Sequence, residues 1–389
     1  MLYRPEDFER LTEQSWDAER VREAVRAIVA RSAAAFDPDD LWPTDERDLA
    51  YSEPPVKDLY TGAAGVAFAL DALRRRGHAD VGIDLAGATL RALELWQHAP
   101  DYADYAARPT PSDSSLLCGE AGVLTVAFRL APSEELADRL FVRVRENVHN
   151  EANELVWGAP GTMVVAHAMQ AWTGEQRWRD AWSESADEVR RRRGADGLWT
   201  QRFGDREQRL LGSAHGAVGN QLALLQAAPA EDAREVAEML ERAAIVEGPL
   251  ANWPTGEGLG LVEPDGSIRV QWCHGAPGIV ISASSYLDEE LLLAASELVW
   301  RAGPMGDEKG AGICHGTAGN GYALLKAFDR TGDELWLERA RRFAVHALEQ
   351  VERESRPRHS LFTGDVGIAL YAADCLDARA RFPILDGWD

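Results

Sequence analysis

The sequence is short of several things, and each shortage narrows what the chain can be. The opening residues, MLYRPEDFERL, carry no basic start followed by an apolar run, so no secretion signal is expected there. Met1-Leu2 places no glycine at position 2, which excludes myristoylation. No stretch reaches roughly 18 uninterrupted apolar residues, so no membrane-spanning helix is expected. Only four cysteines occur in 389 residues, which does not suggest a disulfide framework. Reduced thiols, a metal site or catalysis in the cytoplasm are expected instead. Positive charge is scarce, with 41 Lys and Arg against 64 Asp and Glu and a formal net charge of -23. A field of that sign repels phosphate backbones and anionic bilayers, so neither nucleic acid nor a membrane surface is an expected partner. Strand signals are few and no linker stands out, so one domain over residues 1–389 is expected.

What is present is helix, in pairs. A Gly-x-x-Gly opens an apolar, small-residue helix at Gly62-Gly65, Gly119-Gly122, Gly158-Gly161, Gly216-Gly219, Gly275-Gly278, Gly316-Gly319 and Gly364-Gly367. Before each lies an amphipathic helix with one charged face, read at Ala18–Phe36, Asp84–His98, Glu134–His149, Arg177–Arg193, Asp232–Glu247, Glu289–Arg301 and Glu334–Glu352. Helices with one charged face belong outside, and those rich in Ala, Gly and Leu all round belong inside. Seven of each predict an all-α fold, a double-layered α/α toroid of seven helical hairpins. A repeat array without polar capping repeats can bury its ends by closing on itself. Such a ring needs no second subunit, so a monomer is expected. Two long irregular stretches precede the fourth and fifth inner helices, and the second contains Pro264-Asp265-Gly266, a turn between short β-prone runs.

In a ring, all inner helices start on one rim, so residues just before each glycine pair converge on a central funnel. Three consecutive repeats read Ala214-His215-Gly216, Trp272-Cys273-His274-Gly275 and Cys314-His315-Gly316. Histidine recurs at one offset and cysteine one residue earlier. Two thiolates and up to three imidazoles would therefore meet on the rim. Soft thiolate with imidazole is a zinc set, and three of these five suffice for a site with an open position, the mark of a catalytic zinc. Two thiolates neutralise the 2+ charge and suit the centre to holding a third, exogenous thiolate that stays nucleophilic. Cys118 and Cys375 read as buried core thiols. His78, His98, His149, His167, His346 and His359 read as surface or packing residues.

WCHGAPG (Trp272–Gly278) and ICHGTAGN (Ile313–Asn320) resemble the zinc-binding segments of the lanthionine synthetase C-like (LanC-like) family, and the stand-alone members in particular. LYTGAAG, LLCGEAG, NELVWGAPG, SAHGAVG, SLFTGDVG and the closing ARFP extend the resemblance nearly end to end. The resemblance implies zinc on Cys273, Cys314 and His315, with a water or substrate thiol as fourth ligand. It implies a catalytic role for His215, an acidic catalytic position at Glu154, and at Lys309 a lysine used by members that join glutathione to dehydroamino acids. Trp157, Pro160 and Ala217-Val218 depart from the usual pattern and bear on substrate shape.

The expected reaction is conjugate addition of a thiol, from glutathione or a peptide cysteine, to dehydroalanine or dehydrobutyrine in a peptide or protein. The product is a thioether, and phosphate elimination from a phosphorylated residue is a further step that stand-alone relatives carry out. His215 is the general acid for the developing enolate. Glu154 orients that histidine or acts as base, and Lys309 stabilises the enolate or binds a phosphate or carboxylate. Two rivals stand beside this reading. One is a carbohydrate-active α/α-toroid enzyme, which needs two opposed carboxylates rather than Cys-His pairs. The other is a non-catalytic zinc scaffold that binds a thiol peptide.

Overall fold

Every inner helix starts one residue after the first glycine of a pair, and every outer helix precedes it in chain order. The computed structural model describes residues 1–49, 52–103, 105, 113–228, 233–257 and 265–388. Among them run seven pairs: α1 (Ala18–Ala34) with α2 (Ala63–Arg75), α3 (Leu85–His98) with α4 (Glu120–Leu130), α5 (Glu134–Asn147) with α6 (Ala159–Thr173), α7 (Gln176–Arg191) with α8 (Ala217–Leu225), α9 (Arg234–Ala243) with α10 (Ala276–Ala283), α11 (Glu289–Ala302) with α12 (Thr317–Thr331), and α13 (Glu334–Arg353) with α14 (Asp365–Asp377). Helix α2 packs on α4, and the series continues through α6, α8, α10, α12 and α14, which packs back on α2. The ring is closed. The odd-numbered helices form the outer layer, and α1 fills its seam against α13 and α14.

The two layers are built by different local chemistry. Five of the seven outer helices start at side-chain caps: Asp17, Asp84, Ser133, Asp288 and Asp333 each accept from first-turn amides. Inner helices start at glycine and have no side-chain cap. Their first amides instead donate to carbonyls seven residues upstream, as in Ala63 N to Val56 O at 3.0 Å, Ala217 N to Leu210 O at 3.0 Å and Ala318 N to Ala311 O at 3.0 Å. The preceding loop therefore folds back over the helix start and holds its last residues on the rim. This close approach demands the second glycine: a Cβ on Gly319 would collide with the Ile313 carbonyl oxygen, and one on Gly278 with that of Trp272. Gly319→Ala is expected to cost about 1–3 kcal/mol, read as a lower urea midpoint; an unchanged midpoint would show the loop yields.

Rim loops also bond to one another. Cys314 N donates to Phe362 O at 2.8 Å, Phe362 N to Tyr60 O at 3.1 Å, and Tyr60 N to Leu117 O at 3.0 Å. The seam between first and last repeats thus runs through the same backbone that carries Cys314.

The expected outer helix Asp232–Glu247 is shorter than its charge pattern suggested. Asp232 lies outside the described residues, and Ile245–Glu247 forms a strand, β3 of the strand pairs below. These pairs are β1 (Gln201–Phe203) with β2 (Arg206–Gln208), and β3 (Ile245–Glu247) with β4 (Leu250–Asn252), both antiparallel. Gly248, at φ 61°, and Pro249 make the two-residue turn of the second, and β-branched Ile245 and Val246 favour the extended chain. Pro264 also lies outside the described residues. Asp265 closes the local turn by accepting from Ser267 N at 2.9 Å, but residues 267–270 form no strand. No helix among the described residues is long and apolar enough to cross a membrane.

Candidate metal centre and active site

The residue before each first glycine occupies the same rim position in all seven repeats. Those residues are Thr61, Cys118, Trp157, His215, His274, His315 and Thr363, and every one lines a single central cavity of about 530 Å³. One position earlier, Tyr60, Val156, Ala214, Cys273, Cys314 and Phe362 line it too. The funnel inferred from the glycine offset is present.

Three side chains on this rim converge. Ligand atoms of Cys273, Cys314 and His315 lie within 4.8 Å of one another, and Cys314 Sγ stands 3.4 Å from His315 Nε2. Donors on one tetrahedral zinc-sized ion are separated by about 3.5–3.8 Å, so small shifts would seat one ion between them. Both sulfurs are buried, and His315 is partly exposed to the cavity. Burial opposes ionisation of Cys273, yet the Cys314 hydrogen bond and the His315 and His274 imidazoles hold it well below the usual thiol range. Cys314, buried and beside that charge, is held well above it. One proton is shared where a divalent cation would neutralise both sulfurs.

His274 is not in this cluster. Its ring lies against His215, with centroids 5.9 Å apart, and its buried Nδ1 has no hydrogen-bond partner. Burial first, with the neighbouring cations, brings its pKa down to about 4, so it is neutral at physiological pH.

His215 and Glu154 form the second group. Glu154 is fully buried and accepts from Val156 N at 3.0 Å, Trp157 N at 2.6 Å and His215 Nδ1 at 2.7 Å. Asn153, at φ 52°, sits in the left-handed region just before it, and Asn220 Nδ2 holds the Asn153 carbonyl at 2.9 Å. Burial pulls the His215 pKa down, but the Glu154 carboxylate more than reverses this, and the net shift is upward. With Nδ1 committed to Glu154, Nε2 is the nitrogen left for chemistry in the cavity.

Lys309 lines the mouth of the same cavity, 44% exposed, with Nζ 3.7 Å from Glu308 Oε1. Its loop is pinned by the N-terminal segment: Gly306 N donates to Asp7 O at 2.8 Å and Glu9 N to Pro304 O at 2.9 Å. Arg47, Arg269 and Arg358 join Lys309 in the wall, while Tyr102, Tyr105 and Trp157 form an aromatic cluster elsewhere in it.

Some of the lining escapes a search for Cys-His pairs. Cys118 is buried in the hydrophobic core, as expected, and also reaches the cavity wall. Tyr60 shares the offset of Cys273 and Cys314 from its first glycine, and it lines the same cavity as Cys314. Gln271 shares the offset of Glu154, and its Nε2 donates to Cys273 Sγ at 3.0 Å. Repeat offset was the signal for both.

Comparison with known proteins agrees with this architecture. The sequence model of the family described as lanthionine synthetase C-like protein matches residues 54–386. The chain is 28% identical over 373 residues to a protein of Danio rerio named glutathione S-transferase LANCL1, covering 88% of both chains. It is 27% identical over 385 residues to LanC-like protein GCL1 of Arabidopsis thaliana, covering 88% of this chain and 84% of that one. Among solved structures, nisin cyclase superposes with a TM-score of 0.62 at 14% identity, covering 92% of this chain and 94% of the other, a likeness of fold. A closed ring of helical hairpins, with its Cys-Cys-His cluster on the rim and a family match over most of its length, places this chain in the lanthionine synthetase C-like family.

Proposed function

We propose that this chain is a zinc enzyme that adds a thiol, from glutathione or a peptide cysteine, to dehydroalanine or dehydrobutyrine in a peptide or protein. The observation that carries the reading is that the Cys273–Cys314–His315 cluster and the His215–Glu154 pair open on one cavity. The whole chain, 1–389, acts as one domain, a monomer in the cytoplasm, consistent with four unpaired cysteines. Its net charge of -23 argues against nucleic acid as a partner.

Cys273, Cys314 and His315 are the residues that would hold the metal beside the cavity. Zinc, when bound, keeps a substrate thiol ionised near neutral pH. Glu154 fixes the tautomer and orientation of His215. As the thiolate sulfur bonds to the β-carbon, the alkene electrons move toward the carbonyl and an enolate forms. His215 Nε2, protonated because Glu154 raises its pKa, delivers the proton to the α-carbon. Lys309 and the arginines beside it offer cations to the carboxylates of the thiol substrate or to the enolate oxygen. The same carboxylate and lysine supply the groups that a prior phosphate elimination would require.

Incubating the protein with glutathione and a dehydroalanine peptide, with and without a chelator, tests this directly. A mass gain equal to glutathione, lost with the metal, is expected. Glutathione binding without product would favour a scaffold. Lys309→Ala is expected to raise KM for glutathione about fivefold with kcat little changed, one lost exposed charge contact being worth about 1 kcal/mol. An equal KM would remove Lys309 from substrate binding.

A further inference from the structure

An enzyme that admits a sulfur-reactive alkene into a cavity lined by its own cysteines faces a selectivity problem. In the unwanted reaction, a lone pair on Cys273 or Cys314 forms the S–C bond to the β-carbon. The alkene π pair moves onto the adjoining amide as an enolate, and water returns the proton to the α-carbon. The product is a thioether where a metal ligand stood.

Cys273 carries a side-chain hydrogen bond from a residue that no part of the addition chemistry uses, Gln271. Gln271 is buried at a tight turn, with its N donating to His274 O at 3.0 Å and His274 N returning to Gln271 O at 3.1 Å. That turn aims its amide at Cys273. A hydrogen bond to an ionised sulfur is stronger than a neutral one and must be surrendered as that lone pair becomes a bond. It therefore lowers the sulfur's nucleophilicity without removing it as a ligand.

Resting on the zinc reading above, we propose that Gln271 is a positioning residue for chemoselectivity: its hydrogen bond to Cys273 keeps that sulfur of the chain from consuming the alkene, so that the substrate thiol reacts instead. Cys118, the third cavity sulfur, is guarded by burial, which with nearby carboxylates holds it well above the thiol range as an inert thiol, and Tyr102 hydrogen-bonds to it.

The test uses zinc-loaded wild type, Gln271→Met and Gln271→Leu, both of which remove the amide donor at similar volume. Each is treated with iodoacetamide, and peptide mapping reads which cysteine gains the carboxamidomethyl group as iodide leaves. Gln271→Met is expected to keep zinc and to alkylate Cys273 about tenfold faster with Cys314 unchanged, and Gln271→Leu to do the same. In the cobalt-substituted proteins the sulfur-to-cobalt charge-transfer band is expected to move to lower energy in each variant. A role in packing alone would raise both cysteines together as metal is lost and leave the band of the retained metal in place. Retained zinc with unchanged alkylation overturns the inference alone. A wild type that takes up no zinc overturns the zinc reading, and the inference with it. The two variants remove the same donor with different side chains, so one that folds poorly leaves the other decisive.

Discussion

Cys314→Ala is expected to purify without zinc and to form no thioether, while Cys118→Ala keeps both properties. Both residues stand on the cavity wall, but only Cys314 lies in the cluster whose donor atoms fall within 4.8 Å of one another. Removing a ligand takes away both a bond and half of the thiolate charge that balances the cation. Losing a mere partner of a ligand costs 10–100-fold in affinity, so loss of the ligand itself is expected to exceed about 100-fold. Metal content and product mass, measured on the same preparations, check this. A Cys314→Ala protein with full zinc and wild-type turnover would mean that the metal sits elsewhere and the cluster is packing.

His215→Asn carries the second large effect. It is expected to keep its zinc and to lose about 10²–10⁴-fold in kcat, the usual range for a removed general acid. The pH profile separates this role from a structural one. If protonated His215 is the donor, the rate holds below its pKa and falls as pH rises through it. Glu154 raises that pKa, so the wild-type profile extends above the pH at which an ordinary histidine loses its proton. Glu154→Gln is expected to move the alkaline limb to lower pH, with zinc content unchanged. A limb that stays in place would assign the proton to another group.

The rim was the most legible feature of the sequence because one physical constraint repeats seven times. The second glycine must pass a backbone carbonyl, so its position marks the helix start and everything hung from the loop before it. That register brought Cys273, Cys314, His315 and His215 together before any coordinates existed. Gln271 stands at the offset of Glu154, but its type is not a metal ligand, and only geometry shows that it touches a sulfur. Cys118, without a histidine neighbour, reads as a core thiol and is one, and the same register also brings it to the cavity wall. The setting of Lys309 was not legible. It depends on Asp7 and Glu9, some 300 residues away in sequence, gripping the loop from Pro304 to Gly306. Strand β3 was hidden because a charge-patterned helix continued on paper through Ile245 and Val246, and only the Gly248-Pro249 turn stops it.

Zinc K-edge absorption on the purified protein addresses the ligand set most directly. Two sulfurs at about 2.3 Å with nitrogen or oxygen neighbours at about 2.0–2.1 Å are expected, one sulfur being lost in Cys273→Ala if metal stays bound. A spectrum without sulfur, or a protein that binds no zinc under reducing conditions, would contradict the assignment of Cys273, Cys314 and His315.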